Sequence, residues 1–309
     1  MAFEFSACQT WADGRAAPID EAVEREYNLR PRHPERESVY AGFAERSAAY
    51  RETPGALLNQ RYGEGPRACL DVFPAGAGAP ILVFIHGGYW RTLNKDVFSF
   101  LAAPYVNAGV TVVMPSYDLV PSVPLASIVK QMRQMLAWVR ANASSFGADA
   151  SRIVLSGHSA GGHLAALTAL TDTPGMDGSG ICGVVPVSGV FELAPLLHTS
   201  INREARLTPA SADELSPLRL ARRLPTVPAT PLLLLVGGEE TAGFQQQSRD
   251  FMEIWRSRGL AGGMVLAPGQ THFTVLETLA DPAGSVFNDI LTFLNVPCSP
   301  SRTARHGAQ

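Results

Sequence analysis

The chain has 309 residues, 46% hydrophobic and 17% charged, and a globular body of this length removes roughly three quarters of its extended surface from water. Its 28 acidic and 25 basic residues leave a net charge of −3 and no basic patch interleaved with aromatics, which argues against nucleic acid as a partner. Cys8, Cys69, Cys182 and Cys298 show neither CxxC nor metal spacing and read as free thiols, and the first twenty residues, with Glu4 and Asp13, lack the apolar core of a signal peptide. A cytoplasmic protein without membrane attachment is expected. Its partners would be a small-molecule substrate and, at most, a second copy of the chain as a homodimer.

In chain order, residues 1–33 are polar and interrupted by proline, and an N-terminal extension is expected over about 1–55. Val39, Phe43 and Ala44 have helical spacing, which predicts a helix over 35–50. Short strands follow at 57–61 and 68–73, separated by a Gly/Pro turn at 63–66. Residues 81–85 are then continuously apolar, as in a strand buried on both faces of a parallel sheet. A helical segment at 97–106, a strand at 110–114, a helix at 128–143 and a strand at 152–156 come next. A helix starting at Ser159, a strand at 183–187, a strand at 232–236, a helix at 244–256, a strand at 263–266 and a helix at 287–294 complete the pattern. Strands alternating with helices need crossover connections. The expectation is therefore a single α/β domain with a mostly parallel central sheet and helices on both faces. Between 188 and 231 the alternation fails amid five prolines, and a lid-like insertion is expected there. Residues 297–309 read as a disordered polar tail.

The strand at 152–156 runs into Gly157-His158-Ser159-Ala160-Gly161, which fits G-x-S-x-G with a helix directly behind it. A nucleophilic serine on a strand-to-helix turn needs glycine neighbours, because only they allow the flanking backbone to approach closely. Ser159 is the candidate nucleophile. Upstream, the strand at 81–85 ends in His86-Gly87-Gly88-Tyr89-Trp90, where esterases of this fold carry the loop that binds an oxyanion. The N–H groups of Gly88, Tyr89 and Ala160 are the candidate oxyanion hole. His86 has no second ligand at metal spacing and reads as a residue that holds the loop. No metal or other cofactor is expected.

In the α/β-hydrolase fold the base follows the serine and the acid. Of the histidines after Ser159, His198 lies in the insertion and His306 in the tail, so His272, behind the strand at 263–266, is the candidate base. The acid should follow the strand at 232–236, where Glu239 and Glu240 stand side by side. Adjacent loop residues point in different directions, so one of the two would orient His272 and the other would be a surface charge.

With both glycine motifs in view, the chain resembles the kynurenine formamidases (arylformamidases), α/β-hydrolases of the HGG-loop esterase group. The HGGYW form of the loop at 86–90 is the most specific point of likeness, and Glu26-Tyr27-Asn28, Ser188-Gly189-Val190-Phe191 and Thr199-Ser200-Ile201-Asn202 also look like segments of that family. The resemblance implies metal-independent hydrolysis of N-formylkynurenine to kynurenine and formate in tryptophan catabolism. It also implies a register in which Phe244 sets Glu240, rather than Glu239, at the acid position, where family members usually carry aspartate. On that reading the substrate pocket is expected from Tyr89, Trp90, Phe191 and Asn202, with the insertion as the aromatic wall. The alternative is a carboxylesterase acting on short-chain or aryl esters with the same machinery.

Overall fold

The computed structural model describes residues 17–172 and 180–295; Cys8, Cys298, His306 and the expected tail lie outside them. The chain forms α1 (Glu21–Tyr27), α2 (Arg36–Arg51), β1 (Leu57–Arg61), β2 (Cys69–Phe73) and β3 (Ala79–Ile85). A 3-10 segment, Lys95–Leu101, leads into α3 (Ala102–Asn107), followed by β4 (Thr111–Pro115), α4 (Leu125–Asn142), β5 (Ala148–His158), α5 (Ala160–Thr171) and β6 (Ile181–Val187). The expected insertion holds a further 3-10 turn, Ala194–His198, with α6 (Asn202–Ala205), α7 (Pro209–Leu215) and α8 (Pro217–Arg223). Then come β7 (Leu232–Gly237), α9 (Ala242–Ser257), β8 (Gly262–Ala267), α10 (Val275–Ala280) and α11 (Ser285–Asn295).

The eight strands lie in the order β1-β2-β4-β3-β5-β6-β7-β8. β2 runs antiparallel to β1 and β4, and every pair from β4 to β8 is parallel. This is the α/β-hydrolase arrangement. Alternate side chains of β3 explain its unbroken apolar sequence. Ile81, Val83 and Ile85 pack into a core with Met132 of α4, Leu164 of α5 and Phe244 of α9. Leu82 and Phe84 pack into a second core with Phe43 of α2, Tyr105 of α3 and Phe287 of α11. With helices on both faces, each such side chain contributes roughly 1.5–3 kcal/mol by leaving water.

Two differences from the sequence reading stand out. Helix α1 forms inside the stretch expected to be irregular, because Asp20 caps it by accepting from the N–H groups of Ala22 and Val23. Cys69 is a free thiol, but Cys182 is disulfide-bonded, which corrects the expectation of free thiols throughout. Among the described residues no helix is long and apolar enough to cross a membrane. The loops behind β3, β5, β7 and β8 gather at one edge of the sheet, the carboxyl edge where α/β folds bind ligands.

Candidate active site

Ser159 links β5 to α5 with φ 55° and ψ −116°, a conformation that costs a non-glycine residue on the order of 1–3 kcal/mol. The surroundings over-determine it. The Ser159 N–H donates to the Val187 carbonyl of β6 at 2.8 Å, and its carbonyl accepts from the His163 N–H at 3.0 Å. A Cβ on Gly161 would stand 2.0 Å from the Ile85 carbonyl oxygen, and one on Gly157 would stand 2.4 Å from the Gly161 carbonyl oxygen. Glycine is therefore required on both sides of the turn. The serine stands at the amino end of α5, where unsatisfied N–H groups favour negative charge.

The loop after β3 is wound tightly. Gly88, Tyr89 and Trp90 all have positive φ, at 108°, 49° and 58°, and the Arg91 N–H closes a turn on the Gly88 carbonyl at 3.1 Å. A Cβ on Gly87 would lie 3.3 Å from Ser159 Cβ, so the loop rests directly on the serine turn. Among the described residues the N–H groups of Gly88, Tyr89 and Ala160 have no hydrogen-bond partner. His86 is buried and stacked on Tyr117 with ring centroids 4.3 Å apart, and its Nδ1–H donates to the Gly87 carbonyl at 2.8 Å. Tyr117 Oη donates to the His86 carbonyl at 2.9 Å. Burial pushes the His86 pKa down to about 3, so the ring is neutral.

Behind β8, the His272 Nδ1–H donates to Glu240 Oε2 at 2.7 Å. The other carboxylate oxygen, Oε1, accepts from the Gly237 N–H at 2.7 Å and from the Ser188 hydroxyl. The Glu240 side chain is wholly buried, whereas Glu239 is exposed and engages Gln270 only through its backbone N–H. His158, the x of the serine motif, was not foreseen as a site residue. Its Nε2–H donates to the His272 carbonyl at 2.7 Å, tying the serine turn to the backbone of the histidine. Burial, and then the neighbouring His272, hold its pKa well below the ordinary histidine value.

A cavity of about 320 Å³ opens onto Ser159 and His272, large enough for a small aromatic molecule. Gly88 and Tyr89 line it, but its remaining walls differ from the expectation. Trp90 is fully buried and packs edge-on against His163. Phe191 is also fully buried, stacked on Phe251 of α9. Asn202 caps its own turn, accepting from the Leu207 N–H and donating to the Leu207 carbonyl. The cavity is instead lined by Leu29, Arg30, Arg36 and Tyr40 of the N-terminal region, with Phe273 and Arg91. The insertion supplies none of the lining residues; it packs against α1, α5 and α9. These large apolar side chains left the pocket because burial in the core is more favourable for them than a solvated wall.

Helix α1 explains how the N-terminal region reaches the cavity. Thr241 Oγ1 donates to the Glu26 carbonyl at 2.8 Å, the Gly243 N–H donates to Glu26 Oε2 at 2.6 Å, and Gln247 Nε2 donates to Tyr27 Oη at 2.9 Å. Tyr89 Oη donates to the Tyr27 carbonyl at 2.6 Å, so α1 also anchors the loop after β3. The sequence signal was present in Asp20 and the apolar Val23 and Tyr27, at i and i+4. Among the described residues no group of three or more His, Cys, Asp or Glu stands together in a way that could hold a metal ion.

Comparison with known proteins gives a consistent neighbourhood. Residues 71–188 match the BD-FAE family model. A kynurenine formamidase of Salmo salar is 33% identical over 236 residues, covering 73% of this chain and 77% of the relative. An esterase of Mycobacterium tuberculosis is 27% identical over 278 residues, covering 78% of this chain and 67% of that one. A solved structure from Silicibacter sp. TM1040, described as a candidate thioesterase, superimposes with a TM-score of 0.77 at 33% identity, covering 87% of this chain and 98% of that one.

Proposed function

Since the chain belongs to the kynurenine formamidase family of α/β-hydrolases, we propose that this hydrolase cleaves an aryl formamide, N-formylkynurenine, through a formyl-enzyme on Ser159. The observation that carries the reading is the buried His272–Glu240 pair, opening with Ser159 onto one cavity beside three unpartnered N–H groups. The Ser159 hydroxyl attacks the formyl carbon while His272 Nε2 takes its proton. The Nδ1–H bond to Glu240 fixes the required tautomer and stabilises the imidazolium that forms. The N–H groups of Gly88, Tyr89 and Ala160 receive the charge on the former carbonyl oxygen. Each donor of this kind is worth about 10²–10³ in rate. The imidazolium then protonates the leaving aniline nitrogen, the C–N bond breaks, and water activated by the same histidine releases formate.

A formyl group is the smallest acyl group, so discrimination must come from the leaving-group side. The Leu29, Tyr40 and Phe273 walls suit an aromatic ring. The second reading, a short-chain or aryl carboxylesterase, is favoured by the likeness to the mycobacterial esterase. Kinetics of N-formylkynurenine against 4-nitrophenyl acetate, butyrate and hexanoate separates the two. We expect efficient cleavage of the formamide and a steep decline along the ester series. Butyrate and hexanoate cleaved faster than acetate, with N-formylkynurenine untouched, would give the esterase reading its place. A serine-directed phosphonate should add a single adduct, mapped to Ser159.

A further inference from the structure

The charge around the cavity is lopsided. Arg30, Arg36 and Arg91 line it, against one acid, Glu37. Arg36 is already engaged: its Nη1 donates to the carbonyls of Arg30 and His33, and its Nη2 to Glu37. Arg30 has no hydrogen-bond or ion-pair partner for its guanidinium among the described residues. Partial burial, and then the like charges of Arg91 and Arg36, lower its pKa.

Arg91 carries the stronger signal. Its side chain is 10% exposed and its Nη1 pairs with Glu204 at 2.6 Å, yet its Nε is buried with no partner. A buried guanidinium N–H without an acceptor is costly unless a ligand supplies one. The Nε–Nη2 edge of guanidinium is the edge that matches a carboxylate with two parallel bonds. The turn that closes the Arg91 N–H onto the Gly88 carbonyl places the residue on the same loop as the proposed oxyanion donors, and its side chain lines the same cavity.

We propose that Arg91, with Arg30 beside it, is the substrate-recognition element for a carboxylate carried on the leaving-group side. The proposal rests on the aryl-formamide reading and deepens it: the aniline leaves with an amino-acid side chain whose carboxylate is held by Arg91 while the formyl carbon lies at Ser159. Arg91 is thus a specificity residue and takes no part in proton transfer.

The test reads a selectivity ratio, kcat/KM for a substrate with the carboxylate over its counterpart without. N-formylkynurenine with formanilide forms one pair. Phenyl acetate with and without the same amino-acid side chain on the ring forms the other. In the wild-type enzyme the ratio exceeds one, and Arg91→Gln lowers it by about tenfold or more, as loss of a charge-assisted fork does. The loss falls mainly on KM, and Arg30→Gln lowers the ratio by a smaller factor. A wild-type ratio at or below one overturns the proposal. So does Arg91→Gln leaving the ratio unchanged, whether both substrates are spared or both lose equally. Should Arg91→Gln not fold, Arg91→Lys keeps a charge for Glu204 but not the fork, and an unchanged ratio there overturns the proposal just as well. Cleavage of the ester pair without either formamide would sink the aryl-formamide reading alone, and the ester ratio would still decide the carboxylate site.

Discussion

Glu240 occupies a position with three donors and room for none of them to be lost. Gly237 N–H, the Ser188 hydroxyl and His272 Nδ1–H all converge on its carboxylate. An amide in its place has one accepting oxygen, so its NH₂ must face a donor or force the imidazole into its other tautomer. Glu240→Gln should therefore lower kcat by about 10³–10⁴, in the range of the tautomer-disrupting change in serine proteases. Glu239→Gln, on an exposed side chain, should stay within about twofold, well below one pK unit of interaction energy. Steady-state kinetics of the two variants checks this, and the opposite ranking would transfer the acid role to Glu239. At this scale the sequence was informative for Ser159 and His272, because motif and chain order both constrain them. It was ambiguous between the two glutamates until a register was available. Nothing in it could say that Arg91 Nε would be left without an acceptor, since that depends on where Glu204 lands.

Secondary-structure elements were legible where burial on both faces writes itself into composition. β3, β4 and β7 read as apolar runs and sit within one or two residues of their expected bounds. The cavity wall was misread for the opposite reason. The insertion is near the site in sequence, whereas α1 and residues 28–40 reach it through contacts with α9, the loop after β3 and the insertion itself. Pairings over such separations leave no local periodicity. The glycines divide by element in a way that can be measured. Gly161 at the start of α5 has backbone carbonyls where a Cβ would go, at 2.0 Å and 2.6 Å. Gly161→Ala should cost at least about 3 kcal/mol and abolish activity by displacing the serine turn. Gly42 lies mid-helix in α2 with nothing within 4 Å. Gly42→Ala should stabilise by about 0.5–1 kcal/mol, because alanine loses less backbone freedom on folding. Urea midpoints of the two variants should therefore move in opposite directions; a shared direction would contradict the packing described for one of them.

Across the whole molecule, three buried histidines make stability depend on pH. His86, His158 and His163 each donate one ring N–H to a carbonyl and leave the other nitrogen buried without a partner. A second proton would have no acceptor. Burial accordingly pushes His86 down to about 3, His163 to about 4 and His158 well below its ordinary value. Folding therefore favours the neutral rings, and the unfolded chain binds more protons below its ordinary histidine value of about 6.5. Stability from these groups is fully present above about pH 6.5 and falls as pH drops toward 4. Denaturant unfolding between pH 4.5 and 6.5 should show proton uptake that rises from about half a proton per buried ring at the upper end to about one near pH 5, where His163→Gln should reduce it by about one. A pH-independent midpoint over this window would contradict their neutral burial. Helix α1 has a different consequence, one of timing. Its hydrogen-bond partners Thr241, Gly243 and Gln247 lie 215, 217 and 220 residues further along. A chain leaving the ribosome from its amino end makes α1 early, can bond it to Tyr89 and then to Ser200 as those residues emerge, but leaves its bonds to Thr241, Gly243 and Gln247 unmade until α9 has emerged. The wall beside Ser159 is thus fastened in full only after most of the chain has emerged, and a growing chain that already displays its serine turn still lacks His272 and Phe273 and holds no finished pocket in which to use it.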